Sequence, residues 1–425
     1  MKHISKLQIK ILKKVFEYNK KNFSEASFFC PSSFSIGFYQ MKLWINKKNI
    51  FKFILAFIKE IFAIVLANNY EVKGNIKNLK NFKNIVITFG NDASIKKKLY
   101  IDKYFNYSSK DSSVLWVVIF SGKKIFYNNN VISIVKKKTN FIYKIKNFIF
   151  YFVKLFFEKK NLHKLTNNHF TSKKLEKIFN TILKKKVIKN SKIFFPYESQ
   201  PFQNNLIKNI KSLDKKIKII GYVHSYPAFP SRLMKKNINP DCLIVNSRDQ
   251  IYSFTKFLNW KKKEIIFLPS VRFKKRNLND LSSKIFLPID FNSIEHICNS
   301  IKDLSKIYNL KKFKIQNHPE SINSKKHIRL IYKINQIIYK VGGSQLITKT
   351  PIFIGSTGAI IESLNHGFEP IHIMEDLEFE IYSQTLWPSI KSHFIDNNIV
   401  EYKLIKKNIV SIQKNFLFDR YLKMN

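Results

Sequence analysis

The segment that decides the fold joins an apolar run to a helical pattern through a glycine-rich turn: PIFIGSTGAIIESLNHG, residues 351–367. The apolar run predicts a buried strand that ends at Gly355, and the helix begins at Ser356 or Thr357. Free N–H groups and the positive end of the helix dipole would then lie at the carboxyl end of the strand, where α/β proteins bind phosphorylated ligands. A plain Ser/Thr helix cap, with Gly367 as the C-terminal cap, explains the same residues.

Two glycines and an acidic residue extend the phosphate-site prediction. Gly355 and Gly358 would let a phosphate approach the backbone closely, because neither carries a side chain. Glu362 follows about one helical turn later and could reach a ribose hydroxyl. Together with Ser356 and Thr357, these residues form the predicted phosphate-binding site.

Apolar runs and helical patterns alternate on both sides of this segment. The apolar runs predict strands at 84–89, 114–120, 192–195, 217–223, 242–245, 265–268, 285–287, 313–316, 345–347, 352–354 and 371–373. Strands that alternate with helices indicate parallel βαβ units. We therefore predict an α/β fold with two Rossmann-like, doubly wound domains that face a central crevice.

The predicted chain organisation has three parts. Residues 1–235 form an N-terminal domain that carries a basic, aromatic insertion at about 123–190. Residues 236–390 form a C-terminal domain, and residues 391–425 form a helical tail. The boundary is placed at the proline-rich stretch 227–240, because prolines interrupt regular structure.

A second candidate site follows the predicted strand at 313–316, in the sequence FKIQNHPE. His318 would leave the carboxyl end of this strand, and Pro319 would fix the exit direction of the chain. An imidazole at that position could donate a hydrogen bond to a phosphate or carboxylate in the same crevice as Ser356. The simpler interpretation is that His318 caps a loop.

A third candidate site combines the ends of two further predicted strands. Glu198 follows the strand at 192–195, and His224 follows the strand at 217–223. A carboxylate and an imidazole on these loops could serve as a general base and its partner. The alternative is that Glu198 caps the helix that begins at Pro201. Asp92, in the loop after the strand at 84–89, is a weaker rival for the role of base.

The net charge is the most unusual feature of the composition. The chain carries 76 Lys and Arg against 28 Asp and Glu, a formal net charge of +48, which would ordinarily indicate a polyanionic partner. Only six of the basic residues are Arg, leaving 70 Lys. AT-rich coding explains that bias, and base and phosphate recognition favour the planar guanidinium of Arg. No nucleic-acid partner is therefore expected.

The remaining composition bounds the location of the protein. The three cysteines lie far apart, so neither a disulfide framework nor a zinc site is expected, and a reducing cytoplasm fits best. No apolar run reaches the ~18 residues that a membrane span requires. The aromatic stretch 148–157 has lysines within it and on both sides, which is typical either of a helix on a membrane surface or of a core helix with a Phe/Lys bias.

These motifs together resemble bacterial glycosyltransferases of the GT-B architecture that build surface polysaccharides. The capsule Kdo transferases and the bacterial sialyl- and polysialyltransferases are the most similar families, and the CDP-glycerol glycerophosphotransferases are more distant. The resemblance lies in the pair His318-Pro319, the turn Gly355-Ser-Thr-Gly358 with Glu362, and the segment Gly367-Phe-Glu-Pro370. It covers about residues 194–375.

The resemblance implies a donor site and an activity. His318, Ser356 and Thr357 would hold the phosphate of a nucleotide-activated sugar, with Pro319 fixing the loop, and a CMP-linked donor is one candidate. No metal and no cofactor is expected. The enzyme would act in the cytoplasm or at the inner face of the cytoplasmic membrane, on a glycan or lipid-linked acceptor beside an anionic membrane surface.

We therefore predict a metal-independent glycosyltransferase in which Glu198 or His224 deprotonates the acceptor. Two alternatives remain at the level of the sequence. A nucleotide-sugar epimerase of the same fold would convert the donor without an acceptor. A basic nucleic-acid-binding protein would show steeply salt-dependent affinity and would not need His318.

Overall fold

The structure is a computed structural model of the 425-residue chain. It describes residues 2–22, 58, 62, 65, 69–77, 79, 82–157, 167–270, 282–318, 321–322, 324–346, 350–405 and 409–411. In these ranges the chain forms a mixed α/β fold with two large sheets built mainly from parallel strands. The predicted α/β class with parallel sheets is confirmed.

The first sheet has eight strands in the order β1-β7-β6-β2-β8-β9-β10-β11. These strands are β1 (Asn69–Lys73), β2 (Asn84–Gly90), β6 (Val114–Phe120), β7 (Val131–Lys137), β8 (Lys192–Pro196), β9 (Lys218–Tyr222), β10 (Cys242–Val245) and β11 (Ile265–Phe267). β1 pairs antiparallel with β7, and every other neighbouring pair is parallel. The chain segment that connects β2 to β6 forms a small antiparallel sheet of β3 (Ile95–Lys96), β4 (Leu99–Asp102) and β5 (Tyr107–Ser108).

The central strands of the first sheet are continuous apolar runs. β2 and β6 pair in register from Asn84 opposite Val114 to Gly90 opposite Phe120, and nearly all of their residues are buried. Parallel strands covered on both faces are expected to read this way, because neither face meets water. This explains why the apolar runs predicted these strands.

The second sheet has six strands in the order β14-β12-β16-β17-β19-β18. These are β12 (Lys284–Phe286), β14 (Lys314–Gln316), β16 (Ile352–Ile354), β17 (Ile371–Ile373), β18 (Ile390–Asp396) and β19 (Ile399–Leu404). The first four strands in the order are parallel, and β19 and β18 add an antiparallel hairpin to the edge. A two-stranded ladder joins β13 (Tyr308–Asn309) to β15 (Gln345–Leu346).

Ten α-helices connect and cover the sheets in the described ranges. They are α1 (Lys2–Asn22), α2 (Phe141–Phe157), α3 (Asn167–Ile182), α4 (Lys185–Ile188), α5 (Pro201–Leu213), α6 (Arg248–Phe257), α7 (Ile294–Ile307), α8 (Lys325–Lys340), α9 (Ala359–Asn365) and α10 (Leu377–Glu380). Pro201 begins α5 at the position where its missing N–H costs nothing, which is why the start of this helix is readable from the sequence.

One apolar core is continuous between the two sheets. It contains Ile85 and Phe195 of the first sheet together with Phe353 and Val400 of the second. Smaller clusters pack within the second sheet and under the β3–β5 sheet. The two sheets are therefore joined by buried apolar contacts as well as by the chain itself.

Helix α1 closes the structure from the opposite end of the sequence. The side chain of Gln8 is fully buried and donates to the carbonyl oxygens of Glu378, at 3.0 Å, and Ile381, at 3.3 Å. Ser383 Oγ donates to Gln8 Oε1 at 2.5 Å. Helix α1 is thus fastened by a buried amide to a segment about 370 residues away.

The predicted boundary at residue 235 is not where the sheets divide. β10 and β11 pair with β9 and belong to the first sheet, so that sheet extends to at least Phe267. The proline-rich stretch 227–240 is a largely buried loop, with Phe229 and Leu233 almost inaccessible to solvent. β7 also lies within the first sheet, so the predicted insertion at 123–190 includes part of the sheet itself.

The predicted helical tail is wrong for the residues described after 390. The chain there forms the β18–β19 hairpin, because Ile390–Asp396 alternates between the two faces of a strand and Asn397-Asn398 makes the turn. The pairing of β19 with β17 also covers an open sheet edge. Residues 412–425 lie outside the described residues.

No helix in the described part of the chain is long and apolar enough to cross a membrane.

Candidate functional site

Among the parallel strands of each sheet, the strand order changes direction once, and two of the predicted site residues lie at these reversals. In the first sheet the strand order runs outward from β2 through β6 and β7, and then returns to β8 on the other side of β2. In the second sheet it runs from β12 to β14 and returns to β16 on the other side of β12. Loops diverge at such reversals and leave a crevice at the carboxyl ends of the strands. Glu198 follows β8, and Gly355 follows β16.

Glu198 lies within a cluster of charged groups on the first sheet. Its Oε1 is 3.3 Å from His224 Nε2 and 3.7 Å from Arg232 Nη2. Its Oε2 accepts a hydrogen bond from Gln200 Nε2 at 3.0 Å. The side chains of His224 and Arg232 are less than a tenth exposed, and that of Glu198 is 19% exposed. The structure therefore brings together the two residues predicted for catalysis and adds Arg232 to them.

The surroundings keep the Glu198 carboxylate charged. Burial alone would raise its pKa, but the positive charge of Arg232 and the hydrogen bond and charge of His224 outweigh that effect and hold the pKa far below the usual range. A carboxylate this acidic is a weak proton acceptor near neutral pH. Glu198 is consequently better suited to orient and charge-stabilise His224 than to remove a proton itself.

The backbone around Glu198 is held by Gln203 of helix α5. Gln203 Oε1 accepts from the backbone N–H groups of Glu198, at 3.0 Å, and Gln200, at 3.1 Å. Gln203 Nε2 donates to the carbonyl oxygen of Pro196 at 2.6 Å. The N-cap position of α5 is Gln200. The alternative in which Glu198 caps this helix is wrong, because its carboxylate turns toward His224.

A buried lysine contacts the residue next to Glu198. Lys236 Nζ donates to Ser199 Oγ at 2.9 Å, and both residues are buried. Ser199 has a φ of +56°, in the left-handed region that a serine seldom adopts. The cost of that conformation and of burying an ammonium group concentrates unfavourable energy at the predicted site, which is typical of functional positions.

The ring of His224 is positioned by aromatic side chains. The ring centroid of Tyr104 lies 4.6 Å away in an edge-on arrangement, and that of Tyr222 lies 6.3 Å away. The buried carboxylate of Asp102 accepts from the backbone N–H groups of Tyr104, at 2.8 Å, and Phe105, at 2.7 Å, and so fixes the loop that carries Tyr104. The imidazole is therefore held from its face as well as from Nε2.

The Gly355-Ser-Thr-Gly358 turn is anchored to the second sheet. Gly355 has a φ of +67°, and its carbonyl oxygen accepts from His372 Nε2 at 2.8 Å. Full burial lowers the pKa of His372 to about 4, so the ring is neutral at pH 7. Its Nδ1 then accepts from Tyr402 Oη at 3.1 Å. Ser356 and Thr357 are partly exposed.

The turn on the second sheet lies against the loop that follows His224. A β-carbon on Gly358 would come within 3.7 Å of the backbone nitrogen of Tyr226. Tyr382 Oη is 2.7 Å from the carbonyl oxygen of Tyr226 and 3.0 Å from that of Thr357, so one hydroxyl bridges the two loops. Trp387 Nε1 donates to the carbonyl oxygen of Ala228 at 3.2 Å. The loop that follows His224 and the Gly355–Gly358 turn are therefore in contact.

His318 lies on the same edge of the second sheet, although not beside the turn. It follows β14, and β12 separates β14 from β16, which puts the two loops roughly 10 Å apart. Ser321 donates to the carbonyl oxygen of His318 from both its N–H and its hydroxyl, which shapes the loop. Pro319 lies outside the described residues. Glu362 is buried on α9, and its contact with a ribose stays a prediction.

The carboxylate of Asp92 accepts hydrogen bonds from the loop that follows β6. The donors are the backbone N–H groups of Lys124, at 2.8 Å, and Lys123, at 3.1 Å, and these two hydrogen bonds lower the pKa of Asp92. A β-carbon on Gly122 would collide with this carboxylate, so any larger residue there would displace it. The geometry assigns Asp92 to loop structure and leaves Glu198 and His224 as the acid–base candidates.

Four residues of the site escaped the sequence analysis: Tyr104, Arg232, Lys236 and Tyr382. Arg232 carried a usable signal, since it is one of only six arginines in a chain with 70 lysines. An arginine retained against such a bias marks a position where a guanidinium is needed. Lys236 and the two tyrosines carried no comparable signal.

The positive φ of Gly355 leads to a stability prediction. Replacing Gly355 with alanine should lower the free energy of unfolding by about 2–3 kcal/mol, because a left-handed alanine costs roughly 1–2 kcal/mol and its β-carbon would also press on Pro288 at 3.2 Å. Gly367→Ala is the matched control, since Gly367 has a φ of +84° with no atom within 4 Å of the added carbon. Chemical denaturation should show the smaller loss for Gly367→Ala; equal losses would contradict the prediction.

No cluster of three or more His, Cys, Asp or Glu side chains that could hold a metal ion occurs among the described residues. No protein-family model and no curated protein matches this chain.

Proposed function

We propose that the protein is a glycosyltransferase of the GT-B type, which moves a sugar from a nucleotide-activated donor to a glycan or lipid-linked acceptor. The observation that carries the proposal is the contact between two loops, one from each sheet, at the carboxyl ends of parallel strands. One is the loop after β9, whose His224 lies 3.3 Å from Glu198 of the loop after β8, and the other is the glycine-rich turn that ends at Gly358. Paired crevices of this kind suit a reaction between two substrates, each bound to its own sheet.

In the proposed reaction His224 is the general base and Glu198 its orienting partner. With Nε2–H directed at Glu198, Nδ1 is the ring nitrogen that would accept the proton of the acceptor hydroxyl; this atom is buried in the structure, so the proposed reaction requires acceptor binding to open a path to it. The acceptor oxygen bonds to the anomeric carbon of the donor, and the bond from that carbon to the phosphate oxygen breaks. The nucleotide leaves with the electron pair of the broken bond.

In the proposed reaction, groups on the second sheet stabilise the negative charge that develops on the leaving phosphate. Ser356 and Thr357 are partly exposed, and their N–H groups would donate to the phosphate, while His318 would approach it from the loop after β14. As proposed, the reaction is metal-independent because these donors meet the charge. CMP is the first nucleotide to test, and the cytoplasmic face of the membrane is the proposed location.

The proposal predicts selective stabilisation by one nucleotide. At 100 times its dissociation constant, the correct one of CMP, CDP, UDP and GDP should add about 2.7 kcal/mol to the free energy of unfolding, which raises the melting temperature by a few degrees. Thr357→Val and His318→Ala should weaken this shift. His393→Ala, an exposed histidine on β18, is the control and should retain it. No shift with any nucleotide would contradict the proposed donor site.

Product analysis with the stabilising nucleotide's sugar conjugate then identifies the reaction. A transferase consumes the donor only when an acceptor hydroxyl is present, apart from slow hydrolysis. Rapid conversion of the donor alone into an isomer would instead identify an epimerase and overturn the proposed transfer.

A further inference from the structure

Helix α2 exposes an unusually apolar surface. Six of its residues define what is called here the aromatic face, and each is between 45% and 82% exposed: Phe141, Ile142, Phe148, Ile149, Phe152 and Phe157. Their spacing puts them on one half of the helix circumference. An exposed apolar surface that extends along a helix in this way marks a place where a partner or a lipid surface binds.

The opposite side of α2 faces the rest of the protein. Asn147 is buried, and Lys174 of α3 lies 5.0 Å from the ring centroid of Tyr143. Helix α2 is therefore attached to the protein through α3, with its aromatic face directed outward.

The charge around the aromatic face has a single sign. Residues 121–157 contain eight lysines and no aspartate or glutamate. Lys136 and Lys138 immediately precede the helix, Lys146 lies within it, and all three are exposed. Lys137 lies at the limit of an ion pair with Glu71, at 4.0 Å. The surface thus combines exposed aromatic rings with positive charge, the composition of helices that lie in the plane of an anionic bilayer.

We propose that α2 docks the protein onto an anionic phospholipid bilayer, with the aromatic face inserted at the headgroup level and the lysines on lipid phosphates. A second copy of the chain is a poorer occupant, because two such faces would bring like charges together. A nucleic acid is poorer still, because it would leave the apolar rings in contact with water and phosphate. Charge complementarity and apolar burial both favour lipid.

The position of α2 determines where a bound bilayer would lie relative to Glu198. The helix starts just after β7, whose carboxyl end lies on the same edge of the first sheet as Glu198. β7 and β8 are three strand spacings apart, roughly 14 Å. A bilayer bound at α2 would border the acceptor side of the crevice and favour a lipid-linked acceptor. That consequence rests on the proposed function, whereas the docking itself does not.

The test is sedimentation with vesicles of phosphatidylcholine and phosphatidylglycerol (3:1), compared with phosphatidylcholine alone, using the full chain. The wild-type protein should partition at least tenfold more strongly onto the anionic vesicles. The double substitution Phe148→Asp and Phe152→Asp should reduce the partition coefficient at least tenfold. Its control is Ile328→Asp with Tyr332→Asp on α8, which makes the same change at equally spaced, similarly exposed positions and should bind like wild type.

A charge variant separates the contribution of the lysines from the net charge. Substituting Gln for Lys136, Lys138 and Lys146 should weaken binding on the order of 100-fold, at about fivefold for each lysine near the surface. The same change at Lys96, Lys97 and Lys98, which are equally exposed, should have little effect. Melting temperatures within about a degree of wild type would show that both variants fold.

Three results would overturn the docking proposal. Equal partition onto neutral vesicles would remove the anionic lipid, and wild-type binding by the Phe148/Phe152 variant would remove α2. Sedimentation without vesicles, abolished by that variant, would show that the face joins two copies of the chain. Failure of the nucleotide test would not affect any of these results, so the two proposals stand or fall separately.

Discussion

Replacing His224 with alanine should reduce the rate of sugar transfer by about 10²- to 10⁴-fold, because general base catalysis contributes a factor of that size. Glu198→Gln should cost a similar factor for a different reason. The amide oxygen of Gln could still accept from Nε2 of His224, 3.3 Å from the present carboxylate oxygen, but the amide carries no charge. The imidazolium that forms when His224 takes the proton would then lose its counter-charge.

The measurement is the steady-state rate at saturating donor and acceptor, together with stabilisation by the nucleotide. Both variants should keep the nucleotide shift, since the donor phosphate is assigned to the other sheet. His393→Ala removes an exposed histidine and should transfer sugar at the wild-type rate. A His224→Ala enzyme within threefold of wild type would exclude His224 as the base.

Replacing Glu380 with glutamine should make the protein more stable at pH 8, by up to about 4–5 kcal/mol. Burial, with smaller contributions from the charges of Asp376 and Glu375, raises the pKa of Glu380 from 4.5 to about 8. Between those two values the unfolded chain ionises at this residue and the folded chain does not. The free energy of unfolding of the wild type therefore falls as the pH rises from about 4.5 to 8.

Urea denaturation at several pH values between 5 and 8.5 tests this expectation. Glu380→Gln should remove the decline, because its amide oxygen can still accept from the N–H of Glu375 as Oε2 does now at 2.9 Å. Glu378→Gln, on the same short helix but partly exposed, should leave the decline in place. Below pH 6.5 His372 acts in the opposite direction: its lowered pKa means that stability is lost on acidification. A wild-type protein equally stable at pH 5.5 and 8 would contradict the Glu380 prediction.

Much of the fold could be predicted because its signals are local. Apolar runs bounded by Gly or Pro mark β2, β6 and β8, and Pro201 marks the start of α5. The pairing of Glu198 with His224 also followed from the sequence, since consecutive parallel strands end at the same edge of a sheet. These inferences need only the residues within one or two elements.

The remainder depends on which elements become neighbours. Hydrophobic periodicity does not reveal that β12 lies between β14 and β16, so the distance between His318 and Ser356 was not predictable. Nor does it reveal that the loop bearing Arg232 folds back over β8, because that contact joins residues 34 positions apart through no regular element. The predicted boundary at 227–240 rested on its prolines, and composition alone does not reveal that this loop is largely buried.

The attachment of α1 has a consequence for the time course of synthesis. The buried amide of Gln8 has its partners 370 or more residues further along the chain. At 5–20 residues per second, a ribosome needs roughly 20–75 s to make the intervening chain. Throughout that interval the apolar side of α1, with Ile11, Leu12 and Val15, has no final packing partner at the distant segment. Helix α1 is thus made well before the segment on which it docks, and its apolar side stays without that partner until the distant segment has been synthesised.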